Sequence, residues 1–332
     1  MIAVEQDQKL KFASVPYNVP YAQWPGNAAV AVTYQWGHYA MNFINASGQC
    51  AHTVHQGQGY VATLDGLGAN STNLAADLSP NVRQHLSSNV SFQSPFEAAY
   101  GAFHGTFVNS IIAVSVDGST GISGACPNCS LMLIGGGGVS TAAAALTIAN
   151  VSGAPVVNMS FGTFNSNDAM DVAIGSATQR DVAMFAASGN ENLSQPNYPA
   201  PDASVLSVGG VEQTTPMGPW PRWVQGAGSS AGANWAGVNG VVGPAKDVVS
   251  LVPFAGATLV PNEASLSCGG GTSPFDFFGP AYDGVAACRG TSFATPYVAA
   301  LGAILRSINQ STLIARRDLR CYPHVFRARG QC

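Results

Sequence analysis

Short apolar runs alternate along this chain with longer segments whose apolar residues recur on one helical face. Each short run, bounded by polar residues or glycine, is typical of a strand that is covered on both sides. The predicted strands are 59–64, 130–134, 156–160, 182–187 and 205–208, and the predicted helices are 104–114, 141–149, 169–179 and a last long helix opened by Ser292. This alternation predicts an α/β fold of three layers, in which helices flank a mostly parallel central sheet.

Composition narrows the expected partners. Only 9% of the 332 residues are charged, the net charge is −4, and no basic patch occurs, so nucleic acid is not an expected partner. No apolar run is long enough to span a membrane. The scarcity of charge in a glycine-rich chain favours a tightly packed protein that works outside the cytosol.

Four polar residues fall where predicted strands end or helices begin. They are Asp65 after the first strand, His104 at the start of a helix, Asn190 after strand 182–187, and Ser292. In a parallel sheet such positions gather at the carboxyl edge of the strands. An Asp, a His and a Ser brought together there suit nucleophilic acyl transfer, and an Asn amide can donate to the developing oxyanion.

Each of these residues also has an ordinary structural interpretation. An Asp before a Gly is common in turns, and a Ser at a helix start is a common N-cap. In Gly290–Pro296, however, the glycine allows close approach and the helix start directs N–H groups at a developing charge. Pro296 is expected in the first helical turn, where its missing N–H is tolerated. Four such coincidences in one chain favour a catalytic site.

Several segments carry a family resemblance. Val61–Gly68, His104–Val108 and Gly290–Pro296 resemble the aspartate, histidine and nucleophile segments of the subtilisin-like serine proteases (subtilases), which have the same chain order. Two residues depart from the family pattern: Gly66 stands where Thr or Ser usually follows the aspartate, and Phe107 replaces the usual second histidine. Both departures leave the catalytic groups in place.

The resemblance implies a subtilisin-like serine endopeptidase. Asp65, His104 and Ser292 would form the catalytic triad, and Asn190 would assist the oxyanion hole. The implied domain division is an N-terminal arm at 1–34 that contains the end of a propeptide, a peptidase domain at 35–317, and a cysteine-containing tail at 318–332. The residues expected to bind an extended peptide substrate are Gly136, Gly137, Gly138, Ser160, Phe161, Gly162 and, at the base of the primary pocket, Asn197.

No carboxylate is expected at that pocket base, which disfavours strict selection of Arg or Lys. Glu191 could favour a basic side chain at the rim, and the expected preference is for apolar or mid-sized residues.

Metal signals are weak. The Cys126–Cys129 segment and the group Cys50, His52 and His55 look like ligands, but a second paired half-site for zinc is missing, so disulfides or turns are favoured. The chemistry requires no cofactor, and the resemblance leaves a structural calcium open near Asp77 or 117–121. Among the seven cysteines, Cys268 with Cys288 and Cys321 with Cys332 are plausible disulfides by proximity, and the odd count leaves one thiol over.

The chain start lacks the basic and apolar regions of a signal peptide, so either the protein is intracellular or the chain begins downstream of its natural start. The family resemblance favours the second alternative, and we expect a secreted protein whose signal peptide and most of whose propeptide are absent from this chain. We expect a monomer that acts on polypeptides and binds its own cleaved propeptide. Two alternatives remain: a peptide ligase or macrocyclase with the same triad, and a catalytically silent peptide-binding module.

Overall fold

The computed structural model describes residues 35–41, 43, 59–65, 82–86, 95–114, 123–135, 139–214, 219–224, 230–238, 240–251, 285–308 and 326–327. The helices are α1 (Trp36–Ala40), α2 (Pro95–Ala113), α3 (Val139–Val151), α4 (Asp168–Gln179) and α5 (Thr291–Ile308). The strands are β1 (Tyr60–Asp65), β2 (Val82–Leu86), β3 (Ser130–Gly135), β4 (Val156–Met159), β5 (Ala183–Ala187), β6 (Val205–Val211), β7 (Val241–Pro244), β8 (Val248–Leu251), β9 (Val285–Cys288) and β10 (Phe326–Arg327).

The central sheet has the strand order β10-β7-β6-β5-β4-β1-β3-β2. The strands from β7 to β2 pair in parallel, and β10 joins the edge antiparallel to β7. Strands β8 and β9 form a separate antiparallel pair. Strand β1 lies between β3 and β4, so the chain adds β3 on one side of β1 and then continues from β4 on the other side. In open α/β sheets such a reversal opens a crevice beyond the carboxyl ends of the strands, and this architecture confirms the predicted α/β fold.

Alternate residues of the strands face two different layers of helices. Val61 of β1 joins one buried cluster with residues of α2 and α5. Ala62 and Leu64 join a second cluster with residues of α3 and α4. We call these the α2/α5 face and the α3/α4 face. Burial on both faces explains why the strands are continuous apolar runs.

The prediction that His104 opens its helix is wrong, because α2 begins nine residues earlier at Pro95. Proline suits a first helical position, since its missing N–H would be unpaired there in any case. No helix breaker other than glycine intervenes before His104, so the helix continues through it. His104 therefore lies inside the helix, where the backbone on both sides fixes its position.

The described residues contain no helix that is both long enough and apolar enough to cross a membrane. The predicted arm at 1–34 lies outside the described residues. Within the predicted tail at 318–332, only β10 is described, and it pairs with the sheet. The domain division stays a prediction.

Candidate active site

A buried carboxylate–imidazole pair lies at the carboxyl end of β1. The Oδ1 atom of Asp65 is 2.8 Å from Nδ1 of His104. Asp65 is 8% exposed and His104 is 9% exposed. Burial by itself would lower the pKa of His104, but the charge and the hydrogen bond of Asp65 together outweigh it, so the pKa lies above its ordinary value. The pair thus holds the imidazole in one orientation and makes it more basic.

A second hydrogen bond ties together the strand and the helix that carry this pair. The Thr63 hydroxyl donates to the Asn109 amide oxygen over 2.6 Å, and both residues are buried. Thr63 precedes Asp65 by two residues on the same face of β1, and Asn109 lies on α2 after His104. Alignment of the strand with the helix therefore does not depend on the Asp65–His104 pair alone.

The start of α5 meets the loop after β5 through Thr291. The Thr291 backbone N–H donates to the Asn190 amide oxygen over 2.8 Å, and the Thr291 hydroxyl lies 3.0 Å from the same oxygen. The Asn190 Nδ2 group consequently points away, and lies 3.6 Å from where a Cβ would stand on Gly290. Gly290 has a φ of +151°, a conformation that favours glycine. The amide of Asn190 is thereby oriented as a donor at the helix start.

Ser292 is the second residue of α5 and is partly exposed. The ring of its neighbour Phe293 packs against His104 with 5.5 Å between the ring centroids. Phe293 also packs against the buried ring of Phe107 at 4.5 Å. Phe107 thus fills core space beneath the imidazole, which accounts physically for an aromatic residue at that position. These packing contacts place the start of α5 beside the Asp65–His104 pair.

Pro296 lies in the second turn of α5, not in the first as expected. Its missing N–H leaves the Ser292 carbonyl without its helical donor. The Ser160 hydroxyl donates to that carbonyl over 2.7 Å and accepts from the Asn158 amide at 3.0 Å. Ser160 is 2% exposed. Its side chain therefore anchors the start of α5 to the end of β4, and its hydroxyl is fully used in these two hydrogen bonds.

Of the other predicted substrate-binding residues, Gly136, Gly137 and Gly138 lie outside the described residues. Phe161 is half-buried and Gly162 is exposed beyond β4. A Cβ on Gly162 would stand 2.9 Å from the Asn197 Cβ, so the structure brings these two segments together. Asn197 is 7% exposed, and its amide donates to Glu191 over 2.9 Å.

The structure also adds groups that the sequence did not single out. Thr291 orients Asn190, and Asn234 supports the same loop from a distant segment. The sequence did contain a signal for the role of Thr291, because it is a Thr at a helix start next to a candidate nucleophile. Nothing local could have signalled Asn234, because it lies 43 residues from Glu191 along the chain.

Cys126 and Cys129 are joined by a disulfide, with 5.2 Å between their Cα atoms. Cys288 is also disulfide-bonded, but Cys268, Cys321 and Cys332 lie outside the described residues, so the predicted pairings stay predictions. Cys50, His52, His55, Asp77 and 117–121 also lie outside them. Within the described part of the chain, no group of three His, Cys, Asp or Glu side chains converges as a metal site.

Residues 60–322 match the sequence profile of the subtilase family of peptidases. The chain belongs to the subtilase family. It is 31% identical over 217 residues to "Alkaline protease" of Alkalihalobacillus alcalophilus, a match that covers 64% of this chain and 46% of that protein. It is 30% identical to "Subtilisin BL" of Lederbergia lenta, covering 64% of this chain and 65% of that protein. The match thus spans about half to two thirds of these subtilase relatives.

Solved structures give the same fold. "Sphericase" superimposes with a TM-score of 0.58 at 20% identity, covering 80% of this chain and 83% of that one. "Prenylagaramide maturation protease PagA" superimposes with a TM-score of 0.52 at 21% identity, covering 76% of this chain and 77% of that one. At these identities the likeness extends to the subtilase fold and no further.

Proposed function

We propose that this subtilase is a serine endopeptidase in which Asp65, His104 and Ser292 form the catalytic triad. The observation that carries the proposal is the buried hydrogen bond of 2.8 Å between Asp65 and His104, at the sheet edge where α5 begins. Family membership supports it, since residues 60–322 match the subtilase profile.

Asp65 fixes the tautomer of His104. Because Nδ1 faces the carboxylate, this nitrogen carries the proton in the resting enzyme, and exchange with Ser292 falls to Nε2. The Ser292 hydroxyl attacks the scissile carbonyl while its proton passes to Nε2. The same proton then moves to the leaving amine, and an acyl-enzyme remains. In the second half of the reaction, Nε2 of His104 takes a proton from a water molecule, whose oxygen attacks the acyl-enzyme. The proton then returns to the Ser292 oxygen as the carboxylic acid product leaves.

The oxyanion is held by two donors, the Nδ2 group of Asn190 and the backbone N–H of Ser292. Thr291 occupies the Asn190 oxygen with two donors, which leaves the amide nitrogen to face the reacting carbonyl. The Ser292 N–H is among the first of α5 and so has no partner within the helix. Both donors are fixed before the substrate binds, and such preorganised donors stabilise developing charge strongly.

The substrate is proposed to be an extended polypeptide that lies along Phe161–Gly162 and along the edge at 136–138. The primary pocket would have Asn197 at its base and would admit apolar or mid-sized side chains. We further propose that the protein acts outside the cell and requires no cofactor, that a structural calcium near Asp77 or 117–121 is compatible with catalysis, and that the enzyme is a monomer inhibited by its own cleaved propeptide.

The test is labelling with a fluorophosphonate probe. The unmodified protein should be labelled at Ser292 and should hydrolyse a peptide library, whereas Ser292→Ala should lose both activities. Ser152→Ala, in an exposed turn after α3, is the matched control and should keep both. Labelling that survives Ser292→Ala would refute the assignment, and an unmodified protein that neither labels nor hydrolyses would indicate the silent peptide-binding module. Mass spectrometry of products formed with an added amine separates hydrolysis from ligation.

A further inference from the structure

Glu191 is an exposed residue of the loop after β5. Its Oε2 atom turns back and accepts three hydrogen bonds. The donors are the backbone N–H of Asn190 at 3.0 Å, the Asn197 amide at 2.9 Å and the Asn234 amide at 2.7 Å. One oxygen therefore joins the candidate oxyanion residue, the candidate pocket base and a third segment. We call Glu191 and its three donors the Glu191 cluster.

Asn234 is the buried anchor of this cluster, at 1% exposure. Its amide oxygen accepts from the backbone N–H groups of Glu191 at 3.1 Å and Leu193 at 2.8 Å. Its amide nitrogen also donates to the Ser188 carbonyl at 3.0 Å. Every polar atom of the Asn234 side chain thus contacts the loop that carries Asn190. Since the backbone N–H of Asn234 donates to the Gly189 carbonyl at 3.0 Å, the main chain reinforces the same contact.

Gly189 shows how tightly the cluster is packed. A Cβ at this position would collide with Nδ2 of Asn234, Nδ2 of Asn197 and Oε2 of Glu191. Gly189 also has a φ of +105°, which a side chain rarely adopts. The three polar groups thus occupy the space that a side chain would take, directly beside Asn190. Movement of the Glu191 carboxylate would therefore displace Asn190, the candidate oxyanion donor.

We propose that Glu191 is a positioning residue that acts through Asn190, and that its carboxylate oxygen serves the oxyanion loop as a hydrogen-bond acceptor and does not select basic substrates. The proposal rests on the proposed peptidase function. Three residues hold Asn190: Thr291 donates to its side-chain oxygen, Glu191 accepts from its backbone N–H, and the backbone N–H of Gly232 donates to its carbonyl at 3.0 Å. The first contact sets the direction of the amide, and the other two set the position of the backbone from which the amide extends.

The experiment measures kcat and KM on a peptidyl anilide for Glu191→Ala, Glu191→Gln, Asn190→Ala and the double variant Asn190→Ala/Glu191→Ala. Glu191→Ala should lower kcat by roughly 10- to 100-fold with little change in KM, because displaced catalytic groups cost rates of that order. Glu191→Gln should retain most of kcat, since an amide oxygen can still accept the three hydrogen bonds. In the Asn190→Ala background, Glu191→Ala should cause no further loss.

Two results would overturn the proposal. One is a full additional loss in the double variant, which would show that Glu191 does not act through Asn190. The other is Glu191→Gln falling as low as Glu191→Ala, with substrates bearing basic residues affected most, which would return the charge to substrate selection. If the fluorophosphonate probe does not label the unmodified protein at Ser292, the proposed function itself fails. Labelling of the unmodified protein is therefore measured before any Glu191 variant is compared.

Two further variants guard against loss of folding, which thermal unfolding monitors for every protein. If Glu191→Ala does not fold, Glu191→Met keeps the length of the side chain and removes the acceptor of the three hydrogen bonds; it should lower kcat with little change in KM. A kcat of Glu191→Met equal to that of the unmodified protein would count against the proposal. Asp181→Asn is the control for loss of one surface carboxylate. Asp181 precedes β5 at the end opposite to Asn190, so kcat should not change.

Discussion

The two faces of the central sheet are built differently. On the α3/α4 face, buried side chains such as Ala62, Leu64, Met132 and Met159 make an apolar cluster. On the α2/α5 face, buried hydrogen bonds join the sheet to the helices, from Thr63 to Asn109 and from Ser160 to the Ser292 carbonyl. Apolar contacts tolerate small displacements, whereas a hydrogen bond fixes direction as well as distance. The face that carries the candidate site is thus the one where buried hydrogen bonds join the sheet to the helices.

The largest expected effect removes the Asp65 charge at the carboxyl end of β1. Asp65→Asn should lower kcat on the order of 10⁴-fold, because an amide no longer holds His104 in the required tautomer. Neutral His104 is the base, so activity rises with pH through its pKa. Without the Asp65 charge, burial alone lowers that pKa, and the rising limb of the pH–rate profile should move to lower pH. A limb that stays in place, or moves to higher pH, would contradict the Asp65–His104 coupling.

The raised pKa of His104 also predicts how the free energy of unfolding changes with pH. Since the folded-state pKa of His104 is raised, its interaction with Asp65 stabilises the fold fully below the ordinary pKa. This contribution is lost as the pH rises through the raised value. Urea unfolding should therefore show a stability gap between the unmodified protein and Asp65→Asn that shrinks with increasing pH.

A change on the α3/α4 face should affect stability and leave chemistry intact. Met132 is fully buried in β3 on that face. Met132→Ala should cost about 2–5 kcal/mol in the free energy of unfolding, from lost burial and the remaining cavity. The kcat per folded molecule should not change, as active-site titration with the fluorophosphonate probe would establish. A large fall in kcat per titrated site would show that the apolar face also positions the reacting groups.

The smallest effect compares one buried serine on each face. Ser160→Ala leaves the Ser292 carbonyl without the donor that Pro296 cannot supply, and should cost about 1–3 kcal/mol in the free energy of unfolding. Ser207 alternates with residues of the other cluster and so points to the α3/α4 face. Its hydroxyl has no hydrogen-bond partner among the described residues. Ser207→Ala should therefore be nearly neutral in denaturant unfolding, and equal costs for the two variants would remove the contrast between the faces.

The sequence allowed β1, β3, β4, β5 and β6 to be predicted to within one to three residues, because burial on both sides leaves an unbroken apolar run. It did not predict β2, whose sequence Val-Arg-Gln-His-Leu is mostly polar, or β7, which is four residues long and ends at Pro244. Proline argues against a central strand. The helix of His104 was started too late, although Ser94, Pro95 and Glu97 form the sequence pattern of a helix N-terminus.

The sequence predicted which residues form the candidate site, but it did not predict the contacts that hold them in place. Asp65, His104, Asn190 and Ser292 lie in segments with a family pattern, so they could be proposed from the sequence. The roles of the Ser160 hydroxyl and the Glu191 carboxylate could not, because the Ser292 carbonyl and the Asn234 amide that they contact lie far away along the chain and only the fold brings them close. Sequence proximity suggested that Glu191 faces the substrate, whereas its hydrogen bonds turn it toward the loop.

The two contacts from Thr291 to Asn190 have a consequence for thermal motion. When α5 shifts against the sheet, Thr291 carries the Asn190 amide with it, so Ser292 and the candidate oxyanion donor move together. Fluctuations of the helix are then shared by both groups, and the distance between them varies less than the position of either.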